Sequence, residues 1–222
     1  MIDLKTGRAA GVIVTVGMSL LIGHAASAEQ TATPYAFDNG SSPDPFPYTD
    51  WDYGEFKAQC SSGGPVVGLS AATTGRAHSV LCKSPIANGD AYPFYSDTST
   101  VETFLSSNST HYGSHGDWDN GYYKGECSST EFVVGTAQTT GGAFGRFICG
   151  GITTTDGLRP SNTCHTVAFP GNNPNSFPDG DWAYGYYKLA CNPGEVTVGM
   201  SADPSTHNPH AILCCALHVT IG

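Results

Sequence analysis

Apolar and polar residues alternate with period two in three repeated stretches of the chain, rather than recurring every three or four positions. In Gly121 to Cys127 (GYYKGEC), Tyr123, Gly125 and Cys127 fall on one face of an extended strand, and Tyr122, Lys124 and Glu126 on the other. Two other stretches carry the same phase: Phe56, Ala58 and Cys60 share a face, as do Tyr187, Leu189 and Cys191. The Cys-bearing face is expected to meet a core, so Lys57, Lys124 and Lys188 are expected to point to solvent, together with Tyr122 and Tyr186. Runs rich in β-branched residues (PVVGLSA, FVVGTAQ, VTVGMSA) predict a second strand, and HSVLC, GRFIC and HAILC a third that is apolar on both faces near its Cys. With no helical periodicity after the first thirty residues or so, the fold class is all-β.

The three sets of strands are copies of one module. DWDYGEFKAQC (Asp50 to Cys60), DWDNGYYKGEC (Asp117 to Cys127) and DWAYGYYKLAC (Asp181 to Cys191) align without a gap. Eight residues after each Cys comes Gly68, Gly135 or Gly199, and a second Cys follows at Cys82, Cys149 and Cys214. Each module therefore reads as strand, strand, loop, strand, with its first and third strands clipped by a disulfide. Three such modules of about 65 residues are expected to close around a pseudo-threefold axis, as in trefoils and β-prisms, with a linear array as the alternative.

The repeats set the organisation: a lead-in over 29–49, a first repeat with its connector over 50–116, a second over 117–180 and a third over 181–222. The connectors are rich in Gly, Ser, Thr, Asn and Pro and read as loops, with about one strand each, as in VETFL. Residues 1–28 read as a cleavable export signal: Lys5 and Arg8 precede an apolar stretch from Ala9 to Ile22, and Ala26-Ser27-Ala28 supplies small residues for cleavage. That stretch is shorter than the roughly 20 residues a bilayer requires, and no later segment reaches that length, so no membrane span is expected.

Composition narrows the partners. Nine Lys and Arg against nineteen Asp and Glu give a net charge of -10, which argues against a nucleic-acid partner because phosphate neutralisation needs a basic surface. Eight Cys, an even number in a chain with an export signal, favour disulfides and a secreted, extracellular or periplasmic location. Zinc is disfavoured, since no C-x2-C pair occurs. Spacing predicts Cys60–Cys82 and Cys127–Cys149. In the third module parity favours Cys191–Cys214, which leaves Cys215 for Cys164 in the connector.

Candidate chemistry concentrates in the DW turn before each first strand. Trp51, Trp118 and Trp182, with Tyr53 and Tyr184, offer flat faces for sugar rings, while Asp50, Asp117 and Asp181 accept hydroxyl hydrogen bonds. Alternatively each Trp plugs one end of its module's core and the Asp caps the turn. Tyr122 and Tyr186 are further ligand-contact candidates, replaced by Glu55 in the first copy. The D-x-D-x-G spacing suggests a calcium loop, but the bidentate Glu is missing and the third copy has Ala183, so no cofactor is expected. His78 and His210 occupy equivalent positions, with Gly145 in the second copy, which prevents a three-His metal site. G-x-S-x-G is absent, and no catalytic residue is assigned.

The third module, YYKLACNPGEVTVGMSADPSTHNPHAILCC, resembles the repeat of dermatopontin and related invertebrate lectins: an aromatic strand ending in Cys, a short Gly turn, a Val-rich strand and a strand closing in Cys-Cys. The likeness spans about 30 residues per copy and lacks the D-R-x-W element of that family, with His210-Ala211-Ile212-Leu213 in its place. The expected function is non-catalytic, multivalent recognition of an extracellular glycan or surface ligand. The alternatives are a hydrolase or enzyme inhibitor with one site in the connectors, around His111, His115 or His165, or a structural matrix protein. Nothing in the sequence fixes an oligomeric state.

Overall fold

The structure, a computed structural model, describes residues 32–37, 51–60, 64–83, 86–87, 90–91, 99–103, 115–151, 158–169 and 180–219. Residues 1–28, expected from the sequence to be an export signal, most of the lead-in, Asp50 and His111 lie outside the described residues. Among the described residues there is no helix, and hence none long and apolar enough to cross a membrane.

Among the described residues fourteen strands follow in chain order. A lead-in strand β1 (Thr33–Ala36) precedes the first module, which supplies β2 (Phe56–Gln59), β3 (Val66–Ala71) and β4 (Ala77–Cys82). The first connector holds β5 (Ile86–Ala87), β6 (Asp90–Ala91) and β7 (Ser99–Thr103), and the second module β8 (Tyr123–Glu126), β9 (Glu131–Gln138) and β10 (Phe144–Gly151). The second connector forms β11 (Leu158–Ala168), and the third module β12 (Tyr187–Ala190), β13 (Glu195–Ala202) and β14 (Pro209–Val219).

These strands build three four-stranded sheets, β1-β4-β3-β12, β7-β10-β9-β2 and β11-β14-β13-β8, beside a two-stranded β5-β6 pair. The first strand of each module does not pair within its own module. β2 lies antiparallel to β9 of the second module, β8 to β13 of the third, and β12 to β3 of the first. The backbone bonds continue into the following Cys: Cys60 N–H donates to Val134, Cys127 N–H to Val198 and Cys191 N–H to Val67, at 2.8–2.9 Å. The exchange of first strands runs from the first module to the second, from the second to the third and from the third to the first. Each sheet is completed on its far edge by a strand that precedes its module in sequence, β1, β7 or β11.

The repeated disulfides lock this exchange. Cys60–Cys82, Cys127–Cys149 and Cys191–Cys214 each join the end of a donated strand to the third strand of its own module, so each bond bridges two sheets. Cys164–Cys215 instead joins register partners on neighbouring strands β11 and β14. The three intramodule pairings follow the repeat spacing, Cys164 takes the remaining Cys215, and no cysteine is free. Four disulfides fit an oxidising, extracellular environment.

The repeated glycines explain how a donated strand comes so close. A Cβ on Gly68 would lie 2.8 Å from the Leu189 carbonyl oxygen, one on Gly199 2.9 Å from that of Gly125, and one on Gly135 2.6 Å from the Gln59 Cβ. The contacting residue is in every case on the imported strand. The central core draws on all three sheets: Leu69, Val80, Val133, Phe147, Met200 and Ile212 pack together with the six repeated cysteines. The hairpin tips also touch pairwise, since Arg76 donates to the Gly141 carbonyl (2.7 Å), Phe144 N–H to the His207 carbonyl (2.8 Å), and Gly75 packs against Asn208.

One expectation fails here. Lys57, Lys124 and Lys188 do not face solvent: they are buried, Lys124 and Lys188 completely. The donated strand is covered on both faces, so its alternation does not separate core from water.

Candidate functional site

Each buried Lys organises the turn before it. Lys124 Nζ donates to the carbonyls of Asp119 (2.7 Å) and Tyr122 (2.9 Å) and lies 2.5 Å from Asp117 Oδ1. Lys188 does the same with Ala183 and Tyr186 (2.9 Å each) and with Asp181 Oδ1 at 2.6 Å. Lys57 donates to the carbonyls of Asp52 (2.7 Å) and Glu55 (2.9 Å). An ammonium has three donors, and this cage offers three acceptors at i−7, i−5 and i−2. In the second and third copies the first Asp of the DW element is thus a counter-ion for a buried Lys. The turn closes in each of its three copies by one backbone bond, from the N–H of residue i+3 to the carbonyl of residue i: Glu55 to Asp52, Tyr122 to Asp119 and Tyr186 to Ala183, at 3.1–3.2 Å.

The apex side chain of the second copy, Asn120, donates to Asp117 Oδ2 at 2.7 Å, whereas the other two copies carry Tyr there. Tyr53 and Tyr184 are 91% and 88% exposed, and the second copy carries an exposed Asn120 there. The tryptophans are half-buried. Trp51 and Trp118 pack against a cluster of Phe132, Val134, Ile148, Val196, Val198 and Leu213, and Trp51 Nε1 donates to Gln59 Oε1 at 2.7 Å. Trp118 and Trp182 have buried Nε1 atoms without a hydrogen-bond partner, because Ala190 replaces the Gln in the third copy and Glu126 turns toward His115 in the second.

Tyr122 and Tyr186 are also not free solvent-facing rings. Tyr122 stacks on His210 (centroids 3.5 Å apart, planes within 4°) and Tyr186 on His78 (3.5 Å, 16°). Each stack joins the turn of one module to the third strand of the next, so these residues cement junctions. At the junction of modules two and three, Asp119 Oδ2 also accepts from Ser201 Oγ and pairs with His210 Nδ1 at 2.9 Å. At that of modules three and one, Ala183 stands in place of the Asp, and His78 Nδ1 lies 3.3 Å from Ser70 Oγ and 3.2 Å from Ser79 Oγ. Burial holds the His78 pKa below its ordinary value. At the junction of modules one and two the stacked Tyr and His positions hold Glu55 and Gly145 instead, and Arg146 donates to Asp52 Oδ1. A cleft of about 270 Å³ lies there.

The two carboxylates of the D-x-D element are directed to different partners, Asp117 to Lys124 and Asp119 to Ser201 and His210, and do not converge on a common cation position. Two His-containing groups contain cysteines already in disulfides: His115 with Cys164 and Cys215, and His165 with Glu195 and Cys214. His115 Nδ1 meets Glu126 Oε1, and its Nε2 lies 3.1 Å from Cys164 Sγ, a sulfur bonded to Cys215 and so not a thiolate. Burial raises the Glu126 pKa, against the opposing hydrogen bond and charge of His115. His165 is exposed and lies 3.5 Å from Glu195.

The sequence did not reveal the cage, although the fixed spacing of seven between Asp117 and Lys124, and between Asp181 and Lys188, was its signal. No protein-family model, curated protein or solved structure matches this chain. The resemblance of the third module to the dermatopontin repeat therefore rests on the residues that suggested it.

Proposed function

We propose that this is an exported, non-catalytic recognition protein that binds glycans through its DW turns, on a ring of modules with pseudo-threefold arrangement. The observation that carries this reading is the pair Tyr53 and Tyr184, nearly fully exposed at the apices of turns that buried lysines hold rigid. An aromatic ring on a fixed turn loses little freedom on binding and presents a flat apolar face to a sugar ring. The half-buried tryptophans serve as supports, and the sites are not three equal copies, since Asn120 replaces the apex Tyr in the second module.

A glycan array with the mature protein, repeated with Tyr53→Ala/Tyr184→Ala, tests this reading. Binding by the parent that falls at least about tenfold in the variant, a loss of about 1.4 kcal/mol, supports it. Silence of the parent across polysaccharides and cell-wall material contradicts it.

A further inference from the structure

The three junctions of the ring are built on one plan, and one of them departs from it in a concerted way. Where two junctions place a Tyr on a His, the junction of modules one and two has Glu55 and Gly145. Both replacements remove a ring from the same place, and the cleft of about 270 Å³ lies there. A Cβ added at Gly145 meets nothing within 4 Å, so the space is open on that side.

All three modules line this cleft. Asp52 and Glu55 come from the first, Tyr123, Gln138 and Arg146 from the second, and His207 from the third. Asp52 and Arg146 are paired with each other. Glu55 Oε2 is buried without a hydrogen-bond partner, and so is Gln138 Oε1, whose amide nitrogen is spent on the Ala77 carbonyl at 3.0 Å. His207 is the one non-glycine among the described residues with a left-handed backbone, φ 55°, a conformation that tends to occur at functional sites. Its carbonyl accepts the Phe144 N–H, which fixes the third module's loop against the second.

Resting on the glycan reading above, we infer that this cleft is a single-sugar site that takes a neutral or amine-bearing pyranose. The unsatisfied atoms, Glu55 Oε2 and Gln138 Oε1, are both acceptors, so the complementary ligand brings donors: hydroxyls or an ammonium. A carboxylated sugar would face the Glu55 carboxylate. Tyr123 and His207, with ring centroids 5.8 Å apart, supply a partly apolar wall. The volume lies below the range of about 300–1,000 Å³ of pockets for drug-sized ligands, which suits one ring rather than an oligosaccharide. The turn that supplies Asp52 and Glu55 carries Tyr53 at its apex, so cleft and platform belong to one surface.

The protein's own junctions suggest the test. Glu55→Tyr/Gly145→His copies the Tyr and His positions of the other two and fills the cleft. Gly145→Leu, whose side chain enters the open space, is the second variant if the double change fails to fold. Titration calorimetry on the full mature chain would use glucose, glucosamine and glucuronic acid as probes. We expect glucose and glucosamine to bind, glucuronic acid at least about tenfold more weakly, and the filled variants to lose at least about tenfold in affinity with an unchanged or raised thermal midpoint. Filled variants that bind like the parent overturn the cleft site while leaving the Tyr53 and Tyr184 reading intact. So does a parent that binds array glycans but none of the three monosaccharides. Glucuronic acid binding as tightly as glucosamine overturns the acceptor argument, and a parent that binds no glycan at all overturns both readings.

Discussion

Lys188 Nζ lies 2.6 Å from the Asp181 carboxylate, seven residues earlier, and its side chain is wholly shielded from solvent. A buried ammonium is tolerated only when its donors are satisfied, and here two backbone carbonyls of the same turn complete the set. The pair thus fixes the path of the chain from the DW element into the donated strand. The same cage recurs around Lys124, which makes it a device of the module rather than a local accident.

Removing the ammonium should therefore unlock the turn. Lys188→Met leaves two carbonyls and a carboxylate without their donor, and is expected to lower stability by about 2–4 kcal/mol, measured by urea unfolding. Asp181→Asn, at a position still partly open to water, should cost less, about 1–2 kcal/mol. A neutral result for Lys188→Met would show that the turn holds without its cage.

The repeated glycines give a second prediction. Gly68→Ala and Gly199→Ala would push a Cβ to within 3 Å of a backbone oxygen on the imported strand, so the strand must shift. Each is expected to destabilise by about 1–3 kcal/mol, as overpacking does. Gly145→Ala, in open space, serves as the control and should leave the unfolding midpoint within about 0.5 kcal/mol of the parent.

Much of this architecture was legible in the sequence, and the failures share one cause. Cysteine spacing gave the pairings because a disulfide within a copied module must recur at the same separation, and the three aligned glycines marked one structural position. Period-two alternation, however, records only that a segment is extended. It does not say which strand lies alongside, so β12 pairing with β3 of the first module left no trace in residues 181–191. The lysines were misplaced by the same reasoning, since alternation assigns a polar side chain to water when an ion-pair cage serves equally well. The Tyr122 and Tyr186 stacks depend on a His about ninety residues or more away in sequence, which no local pattern encodes.

Acidification offers a third test. Burial depresses the His78 pKa below 6.5, so the folded state resists a proton that the unfolded chain accepts. Stability should be flat above that pH and fall as pH drops below 6.5, until the folded-state value is passed. His78→Gln should flatten this limb in a thermal-unfolding series from pH 7.5 to 5, while lowering stability overall through loss of the Tyr186 stack. Asp203 predicts a separate, lower limb: the Ser205 hydroxyl and the Thr206 amide hold its pKa at about 2, so its contribution, present above pH 3.8, disappears as pH falls toward that value.

The disulfides should differ in what they protect. Cys60–Cys82 ties a donated strand to its own module across two sheets, whereas Cys164–Cys215 joins neighbours within one sheet. Replacing Cys60 and Cys82 by Ser is expected to cost about 3 kcal/mol, as closure of a loop of that length implies, and to weaken hydrogen-exchange protection in β2. Replacing Cys164 and Cys215 should leave protection in β2, β8 and β12 unchanged.

The exchange of first strands underlies the rigid turns, the three junctions and the cleft between modules one and two, and cross-strand nuclear Overhauser effects test it most directly. The register predicts contacts of Leu189 with Leu69, Gly125 with Met200, and Ala58 with Thr136. Observing all three supports the ring; finding β2, β8 and β12 paired with the second strands of their own modules would contradict it.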